Sequence, residues 1–253
     1  MGKITTIGVD LAKSVFQLHG VTADGTVALR RQLRRGRVPE FFGRLPPCLV
    51  GMEACAFVGT TVPRKVVRSS SPHFWAREPA KLGHAVRLMP PSYVKPYVKR
   101  GKTDAADAGA ICEAVTRPSM RFVPVKTEEQ HAFLMMHRTR DFLVRQLTQV
   151  TNAIRAHFAE FGIIVPKGVH NVERLLTIAG EAALPEGART SVELLGGQFR
   201  DTLERIEDVT VEIRKAAETD EAARRLQGVP GIGPITSSAL AAFVRQTVPR
   251  TVC

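Results

Sequence analysis

Ten residues, Lys99-Arg100-Gly101-Lys102-Thr103-Asp104-Ala105-Ala106-Asp107-Ala108, set three cations directly before two carboxylates. Thr103 is of N-cap type and small helix-forming residues follow it, so the pattern predicts a helix over 103–115. Asp104 and Asp107 then stand three apart on one helix face. Two carboxylates so placed suit a shared divalent cation. Lys99, Arg100 and Lys102 suit a polyanion drawn over that cation. The competing reading is that acids at a helix start answer the helix dipole.

Two upstream acids weigh for the first reading, and the elements that carry them set the expected fold. Ile4 to Val9 is a short apolar run ending in Asp10, a buried strand with an acid at its end. Val15 to Val21 and Val27 to Leu33 flank the turn signal Ala23-Asp24-Gly25, giving three strands in an antiparallel meander. A short helix over Val38 to Leu45 stops at Pro46-Pro47. The strand Cys48 to Met52 then delivers Glu53. A helix over Trp75 to Leu82, a strand over Ala85 to Met89 and the helix at Thr103 follow. Three strands, helix, strand, helix, strand, helix is the order of a ribonuclease H-like α/β fold with a mixed sheet. There the first strand, the fourth strand and a late helix bring acids together. Asp10, Glu53, Asp104 and Asp107 fall at those places, as expected for a two-metal Mg²⁺ site acting on a phosphodiester. Each acid also has a plain structural use, Asp10 as a cap and Glu53 as a helix start.

Composition agrees with a polyanionic partner. The chain of 253 residues carries 36 Lys and Arg against 24 Asp and Glu, a net charge of +12. That balance favours nucleic acid over other partners. No apolar run approaches the ~20 residues of a membrane span, and the N-terminus lacks a signal-peptide core. Cys48, Cys55, Cys112 and Cys253 form no Cys-x-x-Cys pair, which argues against zinc and fits a reducing cytoplasm. Arg30, Arg31, Arg34, Arg35 and Arg37 make a cationic segment suited to a phosphate backbone or to a solvated face. Tyr93 and Tyr97 interleave with Lys95, Lys99 and Arg100, a pattern that suits a single strand.

The second half is helical. Glu128 to Phe161 lacks Pro and places Phe133, Met136, Leu143, Leu147, Val150, Ile154 and Phe161 near a heptad seam, with Arg140 and His157 as polar seam positions. Phe199, Leu203, Ile206, Ile213 and Ala217 repeat the pattern in a second helix. The two would pair within one chain, as an ordinary hairpin, or across a dimer as a coiled coil. Gly228-Val229-Pro230-Gly231-Ile232-Gly233-Pro234 is a glycine-rich turn between helices, where backbone N–H groups suit a phosphate; tight-turn chemistry alone is the competitor.

Three motifs carry a resemblance. Gly8-Val9-Asp10-Leu11-Ala12-Lys13, Gly51-Met52-Glu53-Ala54-Cys55 and Lys102-Thr103-Asp104-Ala105-Ala106-Asp107-Ala108 resemble those of the IS one-ten group of transposases, relatives of the Piv-type DNA invertases. Pro230-Gly231-Ile232-Gly233-Pro234 resembles the start of that family's second domain. The resemblance implies a RuvC-like domain whose Asp10, Glu53, Asp104 and Asp107 bind Mg²⁺ and are catalytic. It also implies a coiled-coil segment, and a C-terminal transposase domain in which a serine attacks the DNA. Its implied partners are insertion-element ends and target DNA, a structured non-coding RNA, and further copies of the chain joined through the helical segment.

The expected organisation is a RuvC-like domain over 1–120, a helical or coiled-coil segment over 126–226 and the start of the transposase domain over 227–253. Two departures from the family pattern are expected: a polar, basic insertion over 57–74, and an end at Cys253 ahead of the family's nucleophilic serine segment. Ser237 and Ser238 fall too early for that role and read as helix-start or packing residues. The leading expectation is a cytoplasmic transposition protein that binds metal and nucleic acid, with Lys95, Lys99, Arg100, Lys102, Arg34, Arg35, Gly231 and Gly233 as nucleic-acid contacts, but that is incomplete for recombination. The alternatives are a free-standing Mg²⁺-dependent nuclease using the four acids alone, and a non-enzymatic DNA- or RNA-binding remnant. A sugar-kinase-like ATPase is disfavoured because Leu11-Ala12-Lys13 replaces the glycine turn such enzymes need.

Overall fold

The computed structural model describes residues 3–11, 15–54, 71–98 and 104–244, and its chain divides into two compact units between Thr127 and Glu128. The first unit is built on five strands: β1 (Ile4–Leu11), β2 (Val15–Thr22), β3 (Val27–Arg34), β4 (Leu49–Glu53) and β5 (Ala85–Met89). They lie in the order β3-β2-β1-β4-β5. The meander β1-β2-β3 is antiparallel, whereas β4 joins β1, and β5 joins β4, in parallel. The β2–β3 turn forms as expected. Gly25 takes a φ of 83°, and the Asp24 carboxylate accepts bonds from Thr22 and Thr26 that hold its pKa down to about 2.

Strand alternation sorts the side chains onto two faces. Ile7, Val9 and Leu11 of β1, Phe16 and Leu18 of β2, and Val50 and Met52 of β4 turn to one face. There they meet α1 (Val38–Gly43) and α2 (Pro72–Lys81) through Val38, Phe42, Trp75 and Ala76. Phe16 and Trp75 meet edge to face at 4.8 Å. Fully burying each such large side chain contributes roughly 1.5–3 kcal/mol. His84 ties this layer at one end. The Cys48 N–H donates to its Nδ1 at 3.2 Å, which leaves Nε2–H to donate to the Phe42 carbonyl at 3.0 Å.

The opposite face is covered by α4 (Asp104–Ala114), flanked by the short α3 (Pro91–Val94) and the turn Lys95–Tyr97. This helix lies unusually close to the sheet because Gly8 and Gly51 have no side chain. A Cβ on Gly8 would fall 2.2 Å from the Ala108 carbonyl oxygen, and one on Gly51 would fall 2.8 Å from Val115 Cβ. Ala110, Ile111, Ala114 and Val115 join Met89, Val94 and Met120 in a separate small core.

Several local readings are revised. Pro72, His73 and Phe74, expected within an inserted loop, begin α2, with Pro72 as its first residue, where a proline costs no hydrogen bond. Residues 57–70 of that stretch lie outside the described residues. Pro90-Pro91, expected only to end β5, also starts α3 for the same reason.

The second unit comprises α5 (Glu128–Ala159), α6 (Val172–Glu181), α7 (Glu186–Thr219), α8 (Glu221–Gln227) and α9 (Pro234–Val244). Arg140 of α5 donates to Thr210 Oγ1 of α7 at 2.8 Å, while Leu147, Val150 and Ile154 share a core with Phe199 and Val192. Numbers fall along α7 as they rise along α5, so the long helices run antiparallel within one chain. The buried stripe of α5 is Leu134, Leu143, Leu147, Val150, Ile154 and Phe158. It departs from the expected seam at both ends, since Phe133 is only half-buried and His157 and Phe161 are exposed. Helix α6, which was not among the expected elements, supplies Val172, Leu175, Leu176 and Ala179, at helical spacing, to the same core. Gly231, with φ 86°, turns the chain between α8 and α9.

Candidate functional site

Asp10 and Glu53 are placed by register. Val9 pairs with Met52 in the parallel β1–β4 ladder, so Asp10 and Glu53 are the next residues of neighbouring strands about 4.8 Å apart. Each lies two residues beyond a glycine that faces α4: Asp10 beyond Gly8, and Glu53 beyond Gly51. With a period of two, both carboxylates belong to the α4 face. Asp10 is 3 % exposed and Glu53 is half-buried. The Ala54 N–H donates to the Met89 carbonyl at 2.7 Å, continuing the β4–β5 pairing past Glu53 and fixing its backbone.

Helix α4 runs against β1. Cys112 Sγ approaches the Thr6 carbonyl at 3.8 Å, and Ala108 lies over Gly8. Continuing along both elements, the first turn of α4 lies toward the Asp10 end of the strand. Asp104 is one turn before Ala108 along the helix. Asp107 is one turn before Ile111, on the side of the small core with Met89, and is half-buried. The side chain of Asp104 lies outside the described part. Among the described residues, no three acid, histidine or cysteine side chains close on a common point as a metal site.

The donors present are all carboxylate oxygens, the ligands preferred by a hard divalent cation such as Mg²⁺. Cys112 of α4, toward the Thr6 end of β1, is held as a thiol, its pKa pushed up to about 11 chiefly by burial. The strands and α4 thus fit Mg²⁺ better than a thiophilic metal.

Of the expected cationic contacts, Arg34 and Arg35 are sent to different faces of the sheet. In β3, Gln32 pairs with Gln17, which pairs in turn with Asp10, and Arg34 follows on the same face. Arg34 is exposed and sits two strands from Asp10 at the same end of the sheet. Arg35 turns the other way, its guanidinium 5.6 Å from the Phe16 ring and 5.8 Å from the Trp75 ring. Lys95 is exposed, in the turn whose neighbours Val94 and Tyr97 pack on α4. Lys99, Arg100, Lys102 and the capping Thr103 lie outside the described residues. Gly231 and Gly233 are exposed in the second unit, described separately from the acids. Ser237 and Ser238 are buried. Ser237 donates to the Pro234 carbonyl at 3.0 Å and Ser238 to the Ile235 carbonyl at 3.1 Å, with His137 Nε2 3.2 Å from Ser238 Oγ.

Sequence reasoning missed the two glycines that admit α4. The available signal was a glycine inside each strand two residues before its acid, a mark of close backbone approach. It also missed His19, which faces Gly109 of α4. Burial, and secondarily Arg30, hold the His19 pKa below its ordinary 6.5.

No helix among the described residues is long and apolar enough to cross a membrane. Comparison with known proteins places these elements in a family. The model of the IS110 group of DEDD transposases, described as Transposase, matches residues 7–163. A Sinorhizobium fredii protein with a transposase name is 44 % identical over 239 residues, 94 % of this chain and 58 % of its own length. The transposase for insertion sequence element IS1328 of Yersinia enterocolitica is 40 % identical over 241 residues, 95 % of this chain and 68 % of its own. That for IS1111A of Coxiella burnetii is 34 % identical over 247 residues, 96 % and 64 %. The chain therefore spans about three-fifths of the length of these relatives, and by both the family match and the relatives it belongs to the IS110 family of DEDD transposases.

Proposed function

We propose that this chain acts in DNA transposition, with its first unit a RuvC-like, ribonuclease H-like domain that holds Mg²⁺ between Asp10, Glu53, Asp104 and Asp107. The observation that carries the reading is the matched placement of Asp10 and Glu53. They stand side by side near the ends of neighbouring parallel strands, on the sheet face that α4 covers. The strand order β3-β2-β1-β4-β5 supports the fold assignment.

Bound there, Mg²⁺ supplies the positive charge that lets a phosphodiester approach four carboxylates and eases attack at phosphorus. The protein's own groups do the positioning. Asp10 is fixed by its pairing with Gln17 and Glu53 by its pairing with Met89, and Asp104 and Asp107 by the glycine-set approach of α4. Arg34, Lys95, Lys99, Arg100 and Lys102 draw the phosphate backbone, and Gly231 and Gly233 offer backbone N–H groups to a second stretch of it. Insertion-element ends and target DNA are the substrates of this reading, a structured RNA its further partner. Self-association runs through the helical unit, where Met135 and Phe142 stand exposed seven residues apart on α5.

The test is cleavage and strand transfer by the purified chain with its flanking element DNA and RNA in Mg²⁺, beside Asp10→Asn and Asp104→Ala. Metal-dependent turnover or metal binding in the parent that both variants lose is the expected outcome. Cleavage that survives Asp10→Asn removes the acids from the chemistry.

A further inference from the structure

The arginines of the β3 edge do not form one patch. Alternation sends Arg30 and Arg34 to the α4 face, while Arg31 goes to the other, its guanidinium 5.8 Å from the Phe41 ring. On that far face Arg31 meets Arg37 and Arg44, from either end of α1. Both are paired with Glu40, at 3.2 and 2.5 Å. The three arginines rim a hollow of about 200 Å³ whose floor includes Phe41 and Leu45. Three guanidiniums stand around one carboxylate, which pairs with Arg37 and Arg44, so the rim carries an excess of two positive charges over an apolar floor.

That combination selects its ligand. The excess charge calls for an anion, and bare guanidiniums on a flat surface would satisfy it with any salt. The aromatic floor beneath them calls for a flat apolar group attached to that anion. The volume is below the roughly 300–1,000 Å³ of a drug-sized or cofactor pocket, so a fragment enters rather than a whole cofactor. A nucleotide within a strand has these properties: phosphates on either side and one unstacked base. Arginine and aromatic rings are the usual platforms for such a base, each stacked base contributing about 1–3 kcal/mol.

We infer that the hollow bounded by Arg31, Arg37, Arg44 and Phe41 is a nucleotide-binding subsite for a single-stranded nucleic acid, on the sheet face opposite the carboxylates. It rests on the nucleic-acid reading above and extends the footprint around the β3 edge to a strand other than the one at the acids. Glu40 acts as its internal counter-ion, holding Arg37 and Arg44 in place and moderating affinity.

The experiment is fluorescence anisotropy of labelled single-stranded DNA, single-stranded RNA and duplex DNA across a salt series. It compares the parent chain, the triple variant Arg31→Gln/Arg37→Gln/Arg44→Gln, Phe41→Leu and Glu40→Gln, with far-UV circular dichroism as the folding control. Three lost phosphate contacts lower the slope of log K against log salt by about two for a single strand. The triple variant should therefore bind single strands at least tenfold more weakly at moderate salt, and Phe41→Leu severalfold more weakly with the slope unchanged. Glu40→Gln, which adds a net charge without removing a cation, should bind more tightly. The DNA and RNA arms identify which strand is held. A parent that binds while all three variants match it overturns the subsite alone, as does a loss confined to duplex DNA. A parent that binds no nucleic acid overturns both the subsite and the function on which it rests.

Discussion

At the scale of single residues, the glycines of β1 and α4 make opposite demands. A methyl on Gly8 would be driven into two backbone atoms, the Ala108 oxygen at 2.2 Å and the Cys112 nitrogen at 2.4 Å, neither of which can rotate away. Gly8→Ala should cost about 1–3 kcal/mol by overpacking, and should weaken Mg²⁺ binding because α4 carries Asp104 and Asp107 with it. A methyl on Gly109 would meet His19 no closer than 3.7 Å, an ordinary contact inside a helix. Gly109→Ala should stabilise by up to about 1 kcal/mol. Denaturant midpoints of the two variants check both signs. Titration adds a second residue-scale expectation. His19 and His137 have pKa values held below the ordinary 6.5, first by burial and then by Arg30 and Arg140 respectively. Their unfolded forms bind protons first, so stability is full above pH 6.5 and falls as pH drops toward the lowered folded values. Cys48 and Cys112 are pushed from 9.0 to about 11 by burial, so stability falls again as pH rises from 9 toward 11. Midpoints measured across pH should show a plateau between these limits, with its acid limb flattened in His137→Gln. Asp10, Glu53 and Asp104 were legible as candidates because each stands at or near the end or start of a patterned segment, and Asp107 because it follows Asp104 by three. The closeness of α4 is a three-dimensional fit that only the two glycines hinted at.

Elements were legible where one periodicity dominated. The five strands and the long helices α5 and α7 follow from apolar spacing, yet the helix seam was misjudged at its ends. Its apolar pattern is broader than the buried stripe: Phe133 and Leu134 are adjacent, and so are His157 and Phe158, and spacing alone does not choose between such neighbours. The structure chooses Leu134 and Phe158. Arg140, expected as a seam imperfection, is accommodated by Thr210 across the helix pair. Short α6 was missed although Val172, Leu175, Leu176 and Ala179 stand at helical spacing; Arg200 of α7 also fixes it through a two-pronged bond to Glu173, at 3.1 and 2.9 Å. Since Ile154 is fully buried where α5 meets this core, Ile154→Ala should cost about 2–5 kcal/mol. Leu194→Ala, on α7 and 69 % exposed, should change stability by no more than about 0.5 kcal/mol. Urea unfolding followed by helical circular dichroism separates the two. Equal losses would mean that the buried stripe does not hold this unit together.

Across the whole molecule, the chain carries a net charge of +12, and in the proposed reading its cations and its four candidate acids serve different steps. Attraction of a polyanion is a property of the arginines and lysines and weakens with salt. In the proposed reading, holding a cation depends instead on Asp10, Glu53, Asp104 and Asp107. These contributions should therefore come apart in a single variant. Mg²⁺ that binds the folded chain alone raises its stability by RT ln(1 + [Mg²⁺]/Kd), about 2.7 kcal/mol at a hundred times Kd. The parent should therefore melt at a higher temperature in Mg²⁺ than in chelator. Asp10→Asn keeps the size of a side chain that is only 3 % exposed but removes a charged ligand, so its melting temperature should not respond to Mg²⁺. The same variant raises the net charge to +13 by removing one carboxylate from the +12 chain. It should bind element DNA at least as tightly as the parent in the absence of metal. An Asp10→Asn protein that kept the Mg²⁺ response would place the ion elsewhere. One that lost the response and DNA binding together, while still folded, would mean that the acids organise the nucleic-acid surface rather than the metal alone.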